Sequence, residues 1–377
     1  MSAARRVLVI GGGFSGMSAA IELCKRGVEV DLVELDPGWR SYGAGISLAG
    51  ATLRAFRSLG ILEAFLAHGH VGDGVELRLP HGPIVSIIPT PRIAGPDLPG
   101  EGAIMRPVLA RILAEATRAV GAAVRLGCTF SSLHLRQDGV DVCFTDGTEG
   151  RYDLVIGADG VHSTVRNAVG PVLVRPAAMT SSCWRFVADN PGVDCWTVWS
   201  GARHTFLMIP MDERHVYGYA ACTRGGPTGA DPGWLERAFA HFADPVTQMT
   251  RTLVAGRGEL HHGTVEEVEM ERWHEGHLVL VGDAAHAMGP VWAQGAAMAL
   301  EDALVLTSVI GAVALGDVGA EVERLRRHRV EHVRKATDKM SRLARLPGPV
   351  RTLCAAVLGP RAYRDAYLPL RDPLALS

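Results

Sequence analysis

The residues best placed to do chemistry sit at three turns, each following an apolar run. In "HLVLVGDAAHAMGPVWAQGAAMALEDAL" (277–304) the run breaks at Gly282-Asp283, and the chain resumes as a helix of small residues. A carboxylate at the tip of a buried strand costs desolvation energy unless hydrogen-bond donors surround it. Asp283 could take those donors from a polyol. A helix starting at Gly295 could offer backbone N–H groups and a positive dipole end to developing negative charge. Read alone, Asp283 serves equally as a helix cap. The second turn, Gly11-x-Gly13-x-x-Gly16, follows "RVLVI". Its glycines allow a tight turn, close approach of backbone to a pyrophosphate, and close packing of helix on strand. Glu34 ends the next apolar run, about 20 residues on, where a carboxylate accepts hydrogen bonds from a ribose. The third turn, in "DLVIGADGVHSTVR" (153–166), sets Asp159-Gly160 before Ser163 and Arg166. Asp159 alone reads as a cap as readily as a ligand.

These turns need strands to carry them. Over residues 6–34 strand, glycine turn, helix and strand follow one another, with the helix from Phe14 to Lys25 ended by Gly27. Fully apolar runs suit parallel strands covered on both faces. "VELRLP" and "PIVSIIP" (75–89) give a hairpin signal around His81-Gly82. The Pro/Gly-rich stretch 89–102 is a linker. A helix is expected from Arg106 to Val120, then short strands with Asp-Gly turns. From about 176 to 267 the texture becomes aromatic and β-branched, without clear βα alternation. Further helices are expected at 295–313 and 322–345. The expected class is α/β: a Rossmann-like domain with a parallel sheet, an inserted and mostly antiparallel β-sheet domain, and C-terminal helices. The first would comprise residues 1–72, 101–175 and 268–345, the second 73–100 and 176–267, with 346–377 a helical C-terminal segment.

The chain has 377 residues, 47% of them hydrophobic and 21% charged, with a net charge of −2. That is an ordinary globular profile with no reason to expect a nucleic-acid partner. Seven cysteines without a CxxC pair fit free thiols in a reducing cytoplasm, the expected location. Val7 to Ile10, after Arg5 and Arg6, is too short for a signal-peptide core. Nowhere do about 18 apolar residues run together as a membrane-spanning helix requires. No metal site is expected. The basic run "RLRRHRVEHVRK" (324–335) reads as a solvated helix face, because acidic residues are scattered around it. "LPGPVRTLCAAVLGPRAYRDAYL" (346–368) reads as a helix packing on the body or on a second copy in a homodimer. A membrane-skimming helix is the minor alternative.

The order and spacing of GxGxxG with Glu34, Arg106 opening a helix, "GADG", and "GDAAHAMGP…QG…EDA" resemble the single-component FAD-dependent aromatic hydroxylases. These flavoprotein monooxygenases include the 4-hydroxybenzoate, salicylate, 3-hydroxybenzoate and urate hydroxylases. The resemblance runs from residue 5 to 340. It implies FAD, reduction by NAD(P)H as co-substrate, addition of O2 at flavin C4a, and transfer of the distal hydroperoxide oxygen to a small aromatic or heteroaromatic substrate. It also implies that Glu34 holds the adenosine ribose, Arg106 contacts FAD, and the segment Gly43 to Ser47 lies beside the cofactor. Asp283 would bind the ribityl chain, Gly295 and Ala296 would face the flavin pyrimidine ring, and Asp159 would serve both FAD and NAD(P)H. Leu35, Arg40, Thr129, Pro290, Gln294 and Ala297 complete the implied cofactor contacts, with Gly11, Gly13 and Gly16. The chain departs from the family's G-Q-G-x-N by reading Ala293-Gln294-Gly295-Ala296-Ala297. Ala-Ala is similar to the salicylate-hydroxylase-like branch, and it leaves residue 297 only backbone to offer.

In the β domain, period-2 spacing puts His215, Tyr217 and Tyr219 on one strand face, and His204, Phe206 and Met208 on another. A base near the flavin would deprotonate a phenol and make its ring a better nucleophile. His204, His215, Tyr217 and Arg185 are the candidates, each weighed against a packed or surface role. Trp184, Trp292 and the aliphatic strand faces are expected to wall the pocket and keep it dry. One rival is a flavin reductase or halogenase on the same fold. A halogenase would show W-x-W-x-x-P, whereas "CWTVWS" holds Trp196 and Trp199 three apart with no following proline. A non-catalytic nucleotide-sensing module is opposed by the intact "GD" segment and the aromatic-rich second domain.

Overall fold

Apolar runs that lack alternation become the middle of a parallel sheet. Strand β1 (Arg6–Ile10) pairs in parallel with β2 (Glu29–Glu34) on one side and with Leu154–Gly157 on the other. Leu278–Leu280 lies in parallel beyond that, and Ala123–Leu126 and the short antiparallel His274–Glu275 complete six strands. Val7, Leu8, Val9 and Leu154 are fully buried, as a sheet covered on both faces requires. Helix α1 (Phe14–Lys25) has the expected bounds. The expected 295–313 helix runs Gly295–Val309, and the 322–345 helix runs Val318–Ala344. The fold is α/β as expected. The computed structural model describes residues 5–41 and 43–372; the expected first and last segments extend outside these by residues 1–4 and 373–377.

A second sheet of seven strands runs in the order Glu259–Thr264, Ser182–Asp189, His215–Cys222, His204–Pro210, Trp196–Ser200, Gly74–Arg78, Ile84–Pro89. The hairpin around Gly82 joins through a parallel pairing of Val75 with Trp196. Alternation sorts the side chains. Trp184, Phe186, Phe206 and Trp199 pack beneath two helices, Gly233–Phe239 and Val246–Val254. Arg185, Leu207, Tyr217 and Tyr219 face the opposite way, into a cavity. Those two helices correct the expectation of a sheet region alone. Their signature, Leu235, Ala238, Phe239, then Val246, Met249, Leu253, has helical spacing, but the aromatic texture around it masks the period.

The basic run is not simply a solvated face. Arg324 and Lys335 are exposed in short-range ion pairs, whereas Arg326 is fully buried and Arg329 nearly so. Spacing of three residues puts both on the inner side of Val318–Ala344, against the "ED" of the motif helix. Arg326 Nε donates to Asp302 Oδ1 at 2.8 Å and its NH1 to Glu301 Oε2 at 2.7 Å. Asp302 Oδ2 in turn accepts from the Gly282 N–H at 2.8 Å and bonds His286 Nε2 at 2.7 Å. Burial pushes the Asp302 carboxyl up, but the charges of His286 and Arg326 prevail and hold it at about 2. A buried carboxylate with every neighbour satisfied is rigid, and what this one fixes is the turn carrying Asp283.

Candidate active site

The carboxyl ends of β1, Leu154–Gly157 and Leu278–Leu280 lie side by side, so three turns distant in sequence meet at one sheet edge. Their glycines show how tightly. A Cβ at Gly11 (φ 106°) would stand 2.4 Å from the Ala158 carbonyl oxygen, and one at Gly282 (φ 60°) would stand 2.0 Å from Ser15 Oγ. A Cβ at Gly16 would stand 1.9 Å from the Gly11 carbonyl oxygen, which enforces close contact of helix and strand. Gly13 and Gly295 differ, because a Cβ there meets no protein atom within 4 Å. Protein packing does not require glycine at those two positions. The open space there leaves room for a ligand to approach the backbone closely.

Acceptors and donors surround the same edge. Glu34 Oε2 accepts from the Gly12 N–H at 2.7 Å and Oε1 from the Asp36 N–H at 2.8 Å, so the carboxylate is oriented with lone pairs to spare. Asp159 Oδ2 accepts from the N–H groups of Thr164 and Val165 at 2.7 and 3.1 Å, while its buried Oδ1 has no partner among the described residues. Leu35 is 67% exposed beside Glu34, and Arg40 grips Asp36 through Nε and NH2. Thr129 follows Cys128, whose N–H donates to the Glu34 carbonyl at 3.1 Å. These residues gather at the outer end of β2. Arg106 donates from Nε to Ser41 Oγ at 3.1 Å and lies over the Phe14 ring. Burial pushes its pKa down, and Asp283 opposes that. An acceptor for hydroxyls, open glycine backbone, a buried unpartnered carboxylate oxygen and a half-buried arginine suit a ligand joining ribose, pyrophosphate and polyol. The residues fit FAD.

Asp283 is not the desolvated carboxylate that the strand-end position predicts. The strand and Gly282 are buried, but the carboxylate turns outward as the first residue of a short helix, Asp283–His286, and borders the cavity. Beyond it Pro290–Trp292 form a 3₁₀ turn, and Ala293 takes a left-handed conformation (φ 52°) before Gln294 and Gly295 start the motif helix. Such a conformation costs an alanine roughly 1 kcal/mol. Ala296 is half-buried and Ala297 fully buried in the first turn.

The cavity has a volume of about 680 Å³, and Ser47, Arg106, Asp283 and Pro290 are among the residues that border it. Of the candidate catalytic residues, Tyr217 and Arg185 line it. His204 instead packs on Trp234 and Phe239, ring centroids 5.3 and 5.6 Å away, on the helix-covered face. His215 is exposed at the start of its strand and pairs with Asp212 at 2.9 Å. Neither histidine reaches the cavity. Trp184 also lies on the helix-covered side, so it is not the expected wall, whereas Trp292 lines the cavity as expected and Trp196, not foreseen there, lines it too. Burial pushes the Tyr217 phenol up to about 12, which makes it a neutral donor at ordinary pH. Sequence reasoning missed His162, at the cavity beside Glu266 (3.8 Å), although His162 stands within the quoted "DGVHS". The C-terminal helix expected within 346–368 runs Gly348–Tyr367, and sequence reasoning did not foresee that it borders the cavity, which it does with Leu358 and Tyr363.

Two predictions arise here. Glu34→Ala is expected to weaken FAD binding without changing turnover once FAD saturates. A turnover defect persisting at saturation would mean that the acid does more than hold the cofactor. The second concerns Glu101, 1% exposed, which accepts from the Thr90 hydroxyl and the Gly74 N–H. Burial pushes it up to about 7 from its ordinary 4.5. The folded protein then binds a proton that the unfolded chain releases, so stability should fall as pH rises from 4.5 to about 7. The loss is on the order of 3 kcal/mol. Glu101→Gln should flatten that slope, as read from urea midpoints on either side of the window. An unchanged slope would assign it to other groups.

The match to a family model described as FAD binding domain covers residues 4–339, and the chain belongs to that family. It is an FAD-dependent monooxygenase of the aromatic-hydroxylase type, with NAD(P)H as co-substrate. The 2-heptyl-3-hydroxy-4(1H)-quinolone synthase of Pseudomonas aeruginosa is 32% identical over 355 residues, 91% of this chain and 90% of the relative. The 3-amino-4-hydroxybenzoate 2-monooxygenase of Streptomyces cremeus is 30% identical, over 91% of this chain and 89% of the relative. Among solved structures, Klebsiella pneumoniae HpxO complexed with FAD and uric acid superimposes with a TM-score of 0.84 over 98% of both chains, at 24% identity, and so shares the fold.

Proposed function

We propose that the enzyme hydroxylates a planar heteroaromatic or phenolic ring carrying an apolar substituent. The ring would lie between the segment 283–292 and the strand face bearing Arg185 and Tyr217. The observation carrying this reading is the cavity's apolar lining, to which Val75, Leu77, Ile88 and Leu207 of the sheet and Leu358 of the C-terminal helix contribute. An apolar chain gains about 0.8 kcal/mol per buried methylene in such a place, and the relative's 2-heptyl product is of that kind.

Bound FAD, reduced by NAD(P)H, supplies the oxygen-activating chemistry. Gly13, Glu34, Arg106, Asp159, Asp283 and Gly295 would hold it. Arg185 would lower the pKa of a ring hydroxyl through its charge, enriching the ring in electrons. Tyr217, neutral, would orient the ring by donating a hydrogen bond. Trp196, Trp292 and the C-terminal helix would exclude water.

The test is NAD(P)H oxidation stimulated by a 2-alkyl-4-quinolone compared with 3-amino-4-hydroxybenzoate, with the product examined for one added oxygen. Stimulation by the benzoate alone sinks the apolar-substituent reading, and oxidation without oxygenated product favours the reductase. A cytoplasmic location belongs to the same proposal, supported by the free cysteines. So does the domain division, supported by a second sheet drawn only from residues 74–89 and 182–264. A homodimer is supported by the edge strand Val172–Pro176, which exposes Val172, Leu173 and Val174. Light scattering on the eluted protein checks it.

A further inference from the structure

The C-terminal helix Gly348–Tyr367 is apolar on two sides, and only one has a partner within the described chain. Its inner side lines the cavity through Cys354, Leu358 and Tyr363. Its outer stripe, at helical spacing, reads Val350, Leu353, Val357, then Arg361 and Arg364. Leu353 and Val357 are 64% and 66% exposed, and Val350 is 47% exposed. The edge strand Ile84–Pro89 packs alongside, with Ile88 approaching Gly359. Large apolar side chains concentrated in this way are unusual on a monomer surface and mark an interaction site.

Charge says which kind of surface would cover it. Residues 342–364 contain Arg342, Arg345, Arg351, Arg361 and Arg364 and no acidic residue, in a chain whose net charge is −2. Arg351 is committed inward, donating to the Gly201 carbonyl at 2.8 Å. Arg342, Arg345, Arg361 and Arg364 are exposed and flank the apolar stripe at both ends. Asp365 lies 3.8 and 3.6 Å from Arg361 and Arg364, offsetting part of their charge. A second copy seated on this face by two-fold symmetry would bring arginines toward arginines. An anionic bilayer meets both properties, because an interfacial helix buries its apolar face at the headgroup boundary while flanking cations meet lipid phosphates. No helix among the described residues is long and apolar enough to cross a membrane, so contact of this kind is confined to the surface.

We propose that the outer face of this helix docks the enzyme on an anionic lipid surface. Docking leaves a single helix between the bilayer and the substrate cavity. An apolar substrate concentrated in lipid then reaches the cavity without crossing bulk water. This last step rests on the apolar-substituent reading above, whereas the docking itself does not.

The test uses the FAD-loaded enzyme and vesicles of phosphatidylcholine with or without phosphatidylglycerol. Cosedimentation is expected with the anionic vesicles, weak with phosphatidylcholine alone, and reduced by salt. Leu353→Glu/Val357→Glu should lower partitioning roughly tenfold or more, with FAD content and thermal midpoint unchanged. Arg361→Gln/Arg364→Gln should bring anionic vesicles down to the level of neutral ones. No cosedimentation of the unaltered enzyme overturns the proposal. So does a dimer that Leu353→Glu/Val357→Glu dissociates, since a second copy then covers the face. Partitioning is read without turnover, so failure here leaves the substrate reading standing.

Discussion

Gly295→Val is expected to leave NAD(P)H oxidation running while hydroxylated product falls about a hundredfold. Gly295 opens the motif helix beside Pro290, and a Cβ there meets no protein atom within 4 Å. The first added carbon therefore has room in the protein, and valine's helix propensity is no worse than glycine's. The added bulk projects into the space that the flavin edge would take. A misplacement of about 1 Å between the activated oxygen and the ring costs roughly a hundredfold in rate, whereas release of H2O2 needs no such alignment. Pro290 contributes on the other side, since it has a fixed φ and no N–H with which to give up a proton. The helix N-terminus would favour an anionic reduced flavin placed there by around 0.3–1 kcal/mol, and the substitution would leave that intact. The measurement is product formed per NAD(P)H consumed at saturating FAD and substrate. A ratio equal to that of the unaltered enzyme would mean that Gly295 does not border the reacting oxygen.

Asp283→Ala should give folded protein with FAD affinity lowered by one to two decades. The turn is held by backbone and by Asp302, which takes the Gly282 N–H at 2.8 Å and bonds His286, so removing the outward-facing Asp283 carboxylate leaves that frame in place. What goes is an acceptor for ligand hydroxyls at the cavity edge. Charged hydrogen bonds of this kind contribute roughly 1.5–3 kcal/mol each. Fluorescence titration of the apoprotein with FAD reads the change, and unaltered affinity would remove Asp283 from the site.

The cofactor end of the molecule was legible because backbone conformation there dictates residue type. A positive φ at Gly11 and Gly282, and the contact of Gly16 with the Gly11 carbonyl, leave glycine no substitute. Those constraints act within a few residues, so the strand–turn–helix order and the bounds of α1 could be read directly. The two helices over the second sheet had a readable period that their aromatic setting obscured.

The substrate end was legible only as chemistry without position. His204 and Tyr217 both fit the search for a polar group on a strand, yet one lies under the helices and the other in the cavity. A single step in strand register exchanges those faces, and register is set by partner strands far away in sequence. Arg326 and Arg329 resemble their exposed neighbours until Glu301 and Asp302 are brought against them. The sequence by itself determined the α/β class and the three glycine–acid turns, because each is a local demand on backbone geometry, while FAD followed from the resemblance that the order of those turns carries. Only the tertiary structure decided which side chains enter the cavity, which arginines are buried and that the C-terminal helix forms a wall, because each depends on what distant segments place opposite.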